Sequence, residues 1–261
     1  MPSRPKVSVI IPVYNTAPYL KRCLDSVTRQ TLGDIEIICV NDASKDDSPA
    51  ILHEYEARDA RIKVIEFSEN QGAAVARNTA VAAARGEYLG FVDSDDEIDL
   101  DFYEKLYEQA VKTGAVIVKG TLVRIMEERS IKCDYINDRI RNERFNFNYQ
   151  FMTAIYNAEY IRGSAVDFPA GVPIGEDVAF LIKAVCLAPG VKTVDGAFYR
   201  YHLRTDSANS KLFSRAKIRS VFKAMNDVLG FINRHGIEAR VYVYLLLWFF
   251  QRLPGLRRHR N

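Results

Sequence analysis

Gly86–Glu87–Tyr88–Leu89–Gly90–Phe91–Val92–Asp93–Ser94–Asp95–Asp96 is the stretch that decides how this chain is read. A short apolar run ends abruptly in three carboxylates within four residues. The run follows a glycine turn signal and reads as a buried strand over Tyr88–Val92. Side chains alternate along a strand, so Asp93 and Asp95 are expected to point one way and Asp96 the other. Carboxylates this close repel one another unless a cation lies between them. A hard divalent ion, Mn²⁺ or Mg²⁺, held by one or two carboxylates plus substrate phosphates, suits such a cluster. An acidic turn that caps the next helix is the alternative, and the triplet alone does not choose between them.

Upstream, apolar runs at Val7–Val13, Ile35–Val40 and Ile62–Phe67 read as strands. Between them, Tyr19–Gln30 has helical spacing, with Leu20, Cys23, Leu24 and Val27 on one face. Ser48-Pro49 opens a second helix through about Ala57, with Ser48 as its cap and Pro49 at the first helical position. Ala73–Ala84 is an Ala-rich helix closed by Arg85-Gly86. Strands alternating with helices of this length imply βαβ units and a parallel sheet. Ligands in such sheets bind beyond the carboxyl ends of the strands. Each of the four strand ends carries polar punctuation: Tyr14-Asn15, Asn41-Asp42, Ser68–Gln71 and Asp93–Asp95. Their convergence on one rim predicts a site there.

Downstream, Asp101–Lys112 reads as a helix and Ala115–Met126 as a strand. Asp134–Phe151 is polar and aromatic without a period, and Gly163–Gly175 is a loop with two prolines. Gly175-Glu176-Asp177 leads into an apolar helix, Val178–Ala188, and Val191–Tyr201 alternates as a strand does. Beyond Lys211 the chain reads as helical. No internal repeat or low-complexity segment is present.

Bulk properties narrow the class. The 261 residues fit one α/β domain with an appendage, or two small domains, and the 48% apolar content supplies a core. Cys23, Cys39, Cys133 and Cys186 form no C-x-x-C pair, which argues against a disulfide framework or zinc site and suits a reducing, cytoplasmic setting. The first strand begins by Val7 with no leader sequence before it. The net charge of +3 hides an asymmetry: residues 211–261 hold eleven Lys/Arg against two acids, about +9, leaving about −6 on the rest. A globally basic nucleic-acid binder is therefore not expected.

Taken in order, several segments resemble the inverting family 2 glycosyltransferases. These are Ser8–Asn15 (SVIIPVYN), Val40–Ser44 (VNDAS), Glu69–Asn78 (ENQGAAVARN), Gly86–Asp96 and Gly175–Asp177. The resemblance covers residues 6–205. It implies an α/β fold of GT-A type, with a Rossmann-like nucleotide-binding half over residues 1–98, whose central sheet is mostly parallel. That half is continuous with an acceptor-binding half over 99–210, together a catalytic domain over 1–210. A basic, aromatic-rich helical extension over 211–261 follows.

The resemblance also assigns roles. Pro12, Tyr14, Asn15 and Asp42 would hold the nucleotide base, usually uracil, with the carboxylate accepting the ring N–H. Gly72, Arg77 and Asn78 would lie beside the nucleotide. Asp93, with Ser94, would reach the ribose, and Asp95, with Asp93, the metal bridging the diphosphate. Asp177 would be the base that takes the acceptor hydroxyl's proton, with Glu176 orienting it or touching the acceptor. His202 would complete the metal site in the manner of some relatives. Arg204 and Ser207 are placed in a loop closing over the diphosphate. Structural readings exist for each. Asp42 suits an Asx turn, Arg77 a helix face, and Glu176 and Asp177 the first turn of a helix dipole.

Two departures from the family pattern matter. A turn often written D-D-G-S is Asn41-Asp42-Ala43-Ser44 here, and the tryptophan common before G-E-D is replaced by Phe151–Tyr156, with Trp248 the only tryptophan. The first departure keeps the aspartate, whereas the second falls on the acceptor pocket. The resemblance implies transfer of a sugar from a nucleotide-sugar, a UDP-sugar above all, to a glycan or lipid-linked glycan in bacterial surface polysaccharide assembly. A nucleotidyltransferase would need a glycine-rich basic loop early in the chain, and Pro12–Ala17 has neither Gly nor Lys/Arg. A non-catalytic nucleotide-sugar-binding scaffold or sensor would have no use for Asp95 and Asp177. In the tail, Val241–Phe250 is too short to span a bilayer. With Arg252, Arg257, Arg258 and Arg260 it suits an interfacial helix on the cytoplasmic face of the inner membrane, or alternatively packing on the domain or in a homodimer.

Overall fold

The computed structural model describes residues 4–126, 129–133, 150–203 and 215–237. Expectations that fall on 134–149, Arg204, Ser207 and 241–260 lie outside the described residues. The first part of the chain runs β1 (Val7–Val13), α1 (Ala17–Thr28), β2 (Ile35–Asn41), α2 (Ser48–Arg58), β3 (Ile62–Glu66), α3 (Ala73–Ala83) and β4 (Tyr88–Phe91). Then come β5 (Glu97–Ile98), α4 (Phe102–Thr113), β6 (Ile117–Met126) and β7 (Arg129–Cys133). A 3-10 turn (Phe151–Thr153), β8 (Ala154–Asn157), α5 (Ala158–Gly163), α6 (Glu176–Cys186), β9 (Lys192–His202) and α7 (Arg215–Arg234) complete it.

The strands form one sheet in the order β3-β2-β1-β4-β8-β6-β9-β5, with β7 beside β6. The first four strands are parallel, as the alternating pattern predicts. At β4 the sheet changes sense, because β8 runs antiparallel to it and to β6. β1 and β2 read as almost unbroken apolar runs because helices cover both their faces, and β2 is buried at every residue. Edge strand β3 is buried only in part. α1 buries Leu20, Cys23, Leu24 and Val27, the face its spacing predicts.

One buried carboxylate fixes the approach to β4. Glu36 Oε1 accepts from Ser8 Oγ at 2.6 Å and from the Arg85 and Gly86 amides at 2.6 and 3.1 Å. These bonds satisfy donors that the α3–β4 turn would otherwise bury unpaired. They also outweigh burial and hold Glu36 below the usual carboxylate range. Further along β4, Gly90 leaves room for Tyr103, since a Cβ there would lie 2.5 Å from the ring.

Two local expectations are corrected. Ser48 is the first residue of α2 rather than its cap, and Asp47 precedes it. The Ser48 hydroxyl instead accepts from the Thr16 amide at 3.1 Å, tying the starts of α1 and α2 together. The strand also ends at Phe91, so Asp93–Asp96 is a tight turn closed by the Asp96 amide donating to the Asp93 carbonyl at 3.0 Å. Strand alternation therefore does not set the directions of these aspartates. The short strands β5 and β8 and helix α5 were not legible in the sequence. Among the described residues Cys23, Cys39 and Cys186 are free, and no helix is long and apolar enough to cross a membrane.

Candidate active site

The acidic turn leaves β4 at the middle of the sheet and is held from several sides. Arg22 Nη2 donates to the Asp95 carbonyl at 2.8 Å, and Thr16 Oγ1 donates to Ser94 Oγ at 3.0 Å. Asp96 is fully buried, accepting from Tyr199 Oη and from the His202 amide, each at 2.9 Å. The Asp93 amide donates to Tyr199 Oη at 3.0 Å, so one phenol on β9 fixes both ends of the turn. Sequence reasoning did not single out Tyr199, which sits in an alternating strand with nothing local to mark it. Burial first, and then the charges of Asp93 and Asp95, push Asp96 well above the usual carboxylate range. Three carboxyl groups thus crowd into four residues of this turn, with Asp96 as its buried anchor.

The loops after β1, β2 and β3 form the neighbouring rim. Tyr14 is 48% exposed at the end of β1, beside Asn15 at a positive φ of 51°. The Asn15 side chain accepts from the Lys45 amide at 2.7 Å, and its own amide donates to Ser44 Oγ at 3.0 Å. Asp42 is buried, with Oδ1 accepting from the Gln71 amide at 2.7 Å and Oδ2 from the Gly72 amide and Asn70 Nδ2, both at 2.9 Å. It therefore ties the β2 loop to the start of α3, as an Asx residue would. Gly72 opens α3 at a φ of 87°, a conformation that costs glycine little. Pro12 is the next-to-last residue of β1 and the one residue of that strand that is only partly buried.

Asn78 spends its amide on the backbone of Phe168, donating at 2.7 Å and accepting at 2.9 Å. It holds the Gly163–Gly175 loop against α3. His202 sits at the end of β9 with Nε2 at 2.9 Å from Glu97 Oε1, so that nitrogen faces β5.

Glu176 and Asp177 occupy the first turn of α6, after Gly175 at a φ of 94°. Asp177 Oδ1 accepts from the Val178 amide at 2.8 Å, a local bond at the helix start. Arg77 joins this acidic start to the acidic turn. Its Nη2 lies 2.8 Å from Asp93 Oδ1 and its Nη1 3.2 Å from Glu176 Oε1. The guanidinium also lies 4.9 Å from the Phe151 ring centre and 5.3 Å from that of Phe168. Phe168 in turn stacks on Phe180 at 4.1 Å. Burial works against the charge on Arg77, but Asp93 and Glu176 outweigh it and hold the guanidinium above its ordinary range. Burial, then the neighbouring Asp177, pushes Glu176 up to about 7 against the opposing pull of Arg77. The aromatic rings around Arg77 were not foreseen, because Phe151, Phe168 and Phe180 come from three separate segments.

The carboxylate of Asp93 in the acidic turn and that of Glu176 at the start of α6 thus meet on one guanidinium. The family model for glycosyl transferase family 2 matches residues 8–165, and the chain belongs to that family. It is 32% identical over 246 residues to the uncharacterized glycosyltransferase EpsJ of Bacillus subtilis, covering 89% of this chain and 71% of EpsJ. It is 49% identical over 223 residues to EpsH of the same organism, a glycosyltransferase by name alone, covering 78% of this chain and 62% of EpsH. S. aureus TarS 1–349, solved in complex with UDP-GlcNAc, shares the fold with a TM-score of 0.72 at 21% identity, over 95% of this chain and 82% of that one. The fold is GT-A, as the ordered motifs imply.

Proposed function

We propose that the chain moves a sugar from a UDP-sugar to a hydroxyl of a glycan or lipid-linked glycan, with inversion, in bacterial surface polysaccharide assembly. The observation that carries this reading is the meeting of Asp93 and Glu176 on one guanidinium, which puts the donor turn beside the G-E-D helix start. That TarS is solved with UDP-GlcNAc supports a UDP-linked donor. Tyr14 offers an exposed ring for a base to stack on. Asp42, which already accepts from Asn70, Gln71 and Gly72, would take the ring N–H on a remaining lone pair while it shapes the loop.

Asp177 acts as the base. It takes the proton of the acceptor hydroxyl as that oxygen bonds to the anomeric carbon, from the face opposite the diphosphate. The bond from that carbon to the diphosphate oxygen breaks, and the nucleoside diphosphate leaves with the electron pair. Glu176 and Arg77 keep Asp177 at the rim by fixing the first turn of α6. The donor set fits Mn²⁺ or Mg²⁺ held by Asp95 and Asp93. No three acidic, His or Cys side chains among the described residues form a ready cage, and these ions commonly take one or two carboxylates plus substrate phosphates. When bound, such an ion supplies charge stabilisation to the departing diphosphate. His202, whose Nε2 lies against Glu97, would have to leave that partner to serve as a third ligand.

The exposed described side chains of α7 include Arg215, Arg219, Phe222, Lys223 and Arg234. Its one acid in that span, Asp227, is paired with Lys183. This polarity supports peripheral contact of residues 211–261 with an anionic membrane surface.

Thermal shifts against UDP, GDP, dTDP and CDP, with and without Mn²⁺, test the reading on wild type and Asp95→Ala. A nucleotide at a hundred times its dissociation constant adds about 2.7 kcal/mol. Stabilisation by UDP that needs Mn²⁺ and is lost in the variant is expected. A response indifferent to nucleotide, metal and Asp95 would defeat it and favour a scaffold.

A further inference from the structure

We propose that Arg77 is a positioning residue that links the two sides of the site: one guanidinium holds Asp93 and Glu176 together, so a ligand that draws on Asp93 is felt at Glu176. This rests on the donor-site reading above and departs from the resemblance, which places Arg77 among the nucleotide's own contacts.

The geometry leaves Arg77 little freedom to touch a phosphate. Its side chain is 6% exposed, and its two terminal nitrogens are engaged at 2.8 and 3.2 Å. Phe151 and Phe168 lie over the guanidinium, and Asn78 pins the Phe168 backbone from both sides. Arginine suits this place because a planar fork can serve two carboxylates at once, whereas an ammonium is a single point charge. Asp93 comes from the loop after β4 and Glu176 from α6, so the strut spans the donor and acceptor halves. A donor that recruits Asp93 weakens its hold on Arg77 and leaves more of the cation to Glu176, beside Asp177. By linkage the influence is reciprocal. Glu176 competes for Arg77 and thereby keeps Asp93 available to the donor.

The test is a double-mutant cycle read by calorimetric binding of UDP with Mn²⁺ at about pH 8, above the value of about 7 to which Glu176 is raised, so that its carboxylate is ionised. Glu176→Gln leaves Arg77 to Asp93 alone and should weaken UDP binding roughly fivefold or more, although Glu176 does not touch the nucleotide. In an Arg77→Met background the same change should leave UDP affinity unaltered. Arg77→Met by itself should keep UDP affinity within about twofold of wild type or tighten it, while turnover at saturating donor falls. If Arg77→Met instead weakens UDP about tenfold with turnover intact, Arg77 is a nucleotide ligand and the strut is wrong. An equal Glu176→Gln effect in both backgrounds would also overturn it. Should Arg77→Met fail to fold, Arg77→Lys keeps the charge but cannot span both carboxylates. It should bind UDP yet lose the Glu176→Gln effect, and persistence of that effect would refute the proposal. Wild-type protein that ignores UDP and Mn²⁺ would defeat the donor-site reading and the strut together. Wild-type binding without the coupling would defeat the strut alone.

Discussion

Replacing Lys183 by methionine should loosen the C-terminal helix from the catalytic body by an amount the structure allows one to work out. Lys183 lies in the last turn of α6 with its side chain 1% exposed. Its ammonium donates to Asp167 at 2.6 Å and to Asp227 at 2.7 Å, so it binds the Gly163–Gly175 loop and α7 to one helix. Methionine keeps most of the buried stem, so the loss is that of the charge. Breaking a buried pair from one side costs about 3–5 kcal/mol. Here the orphaned carboxylates are not deeply buried: Asp167 is 61% and Asp227 30% exposed, so water takes over part of the role of the ammonium. The expected cost is therefore about 2–3 kcal/mol, mostly from Asp227. For a chain of this size that lowers the melting temperature by roughly 4–12 °C. Thermal unfolding followed by circular dichroism reads it. The double variant Lys183→Met/Asp227→Leu should regain much of the loss, since replacing a whole buried pair by apolar groups is often neutral. A single variant that melts with wild type, or a double variant below the single, would refute the reasoning.

Three further outcomes follow from the geometry. Because Glu176 is raised to about 7, the folded chain keeps a proton there that the unfolded chain has lost. That contribution is complete below the ordinary carboxylate value and disappears as pH rises through about 7, so the melting temperature of wild type should fall more steeply between about pH 5 and 8 than that of Glu176→Gln; parallel curves would contradict the shift. Asp177→Asn should lower turnover by about two to four orders of magnitude while UDP affinity, measured calorimetrically, holds; retained turnover would remove Asp177 as the base. Gly90→Ala should destabilise by about 1–3 kcal/mol in urea unfolding, because its Cβ meets the Tyr103 ring; an unchanged midpoint would show that the ring yields freely.

The parallel half of the sheet was legible because its signals are local. Val7–Val13 and Ile35–Val40 are apolar through and through, and Leu20, Cys23, Leu24 and Val27 repeat at helical spacing. The rim residues could be gathered for the same reason, each following a strand end. What escaped depends on partners distant in the chain. Tyr199 matters because Asp93 and Asp96 fold back onto it, about a hundred residues away. The role of Arg77 depends on Glu176, ninety-nine residues on. β8 is four residues long and shows no period of its own, since its pairing with β4 defines it. The direction of the three aspartates was misread because the acidic run looks like a continuing strand, whereas the Asp93 carbonyl turns the chain at once.

The seam between β4 and β8 also limits how this molecule can respond to substrate. Tyr88, Leu89 and Gly90 pair with Asn157, Tyr156 and Ile155, so the backbone network crosses from one half to the other without a break. Many two-lobed enzymes swallow their substrates by swinging one lobe about a flexible linker. Here such a swing would have to tear sheet hydrogen bonds in the middle of the core. Adaptation to donor and acceptor is thereby confined to the segments that hang from the rim, and the halves present a chassis of fixed spacing. Solution scattering should accordingly find the same overall dimensions with and without nucleotide, with change registered only in the exchange of surface amides.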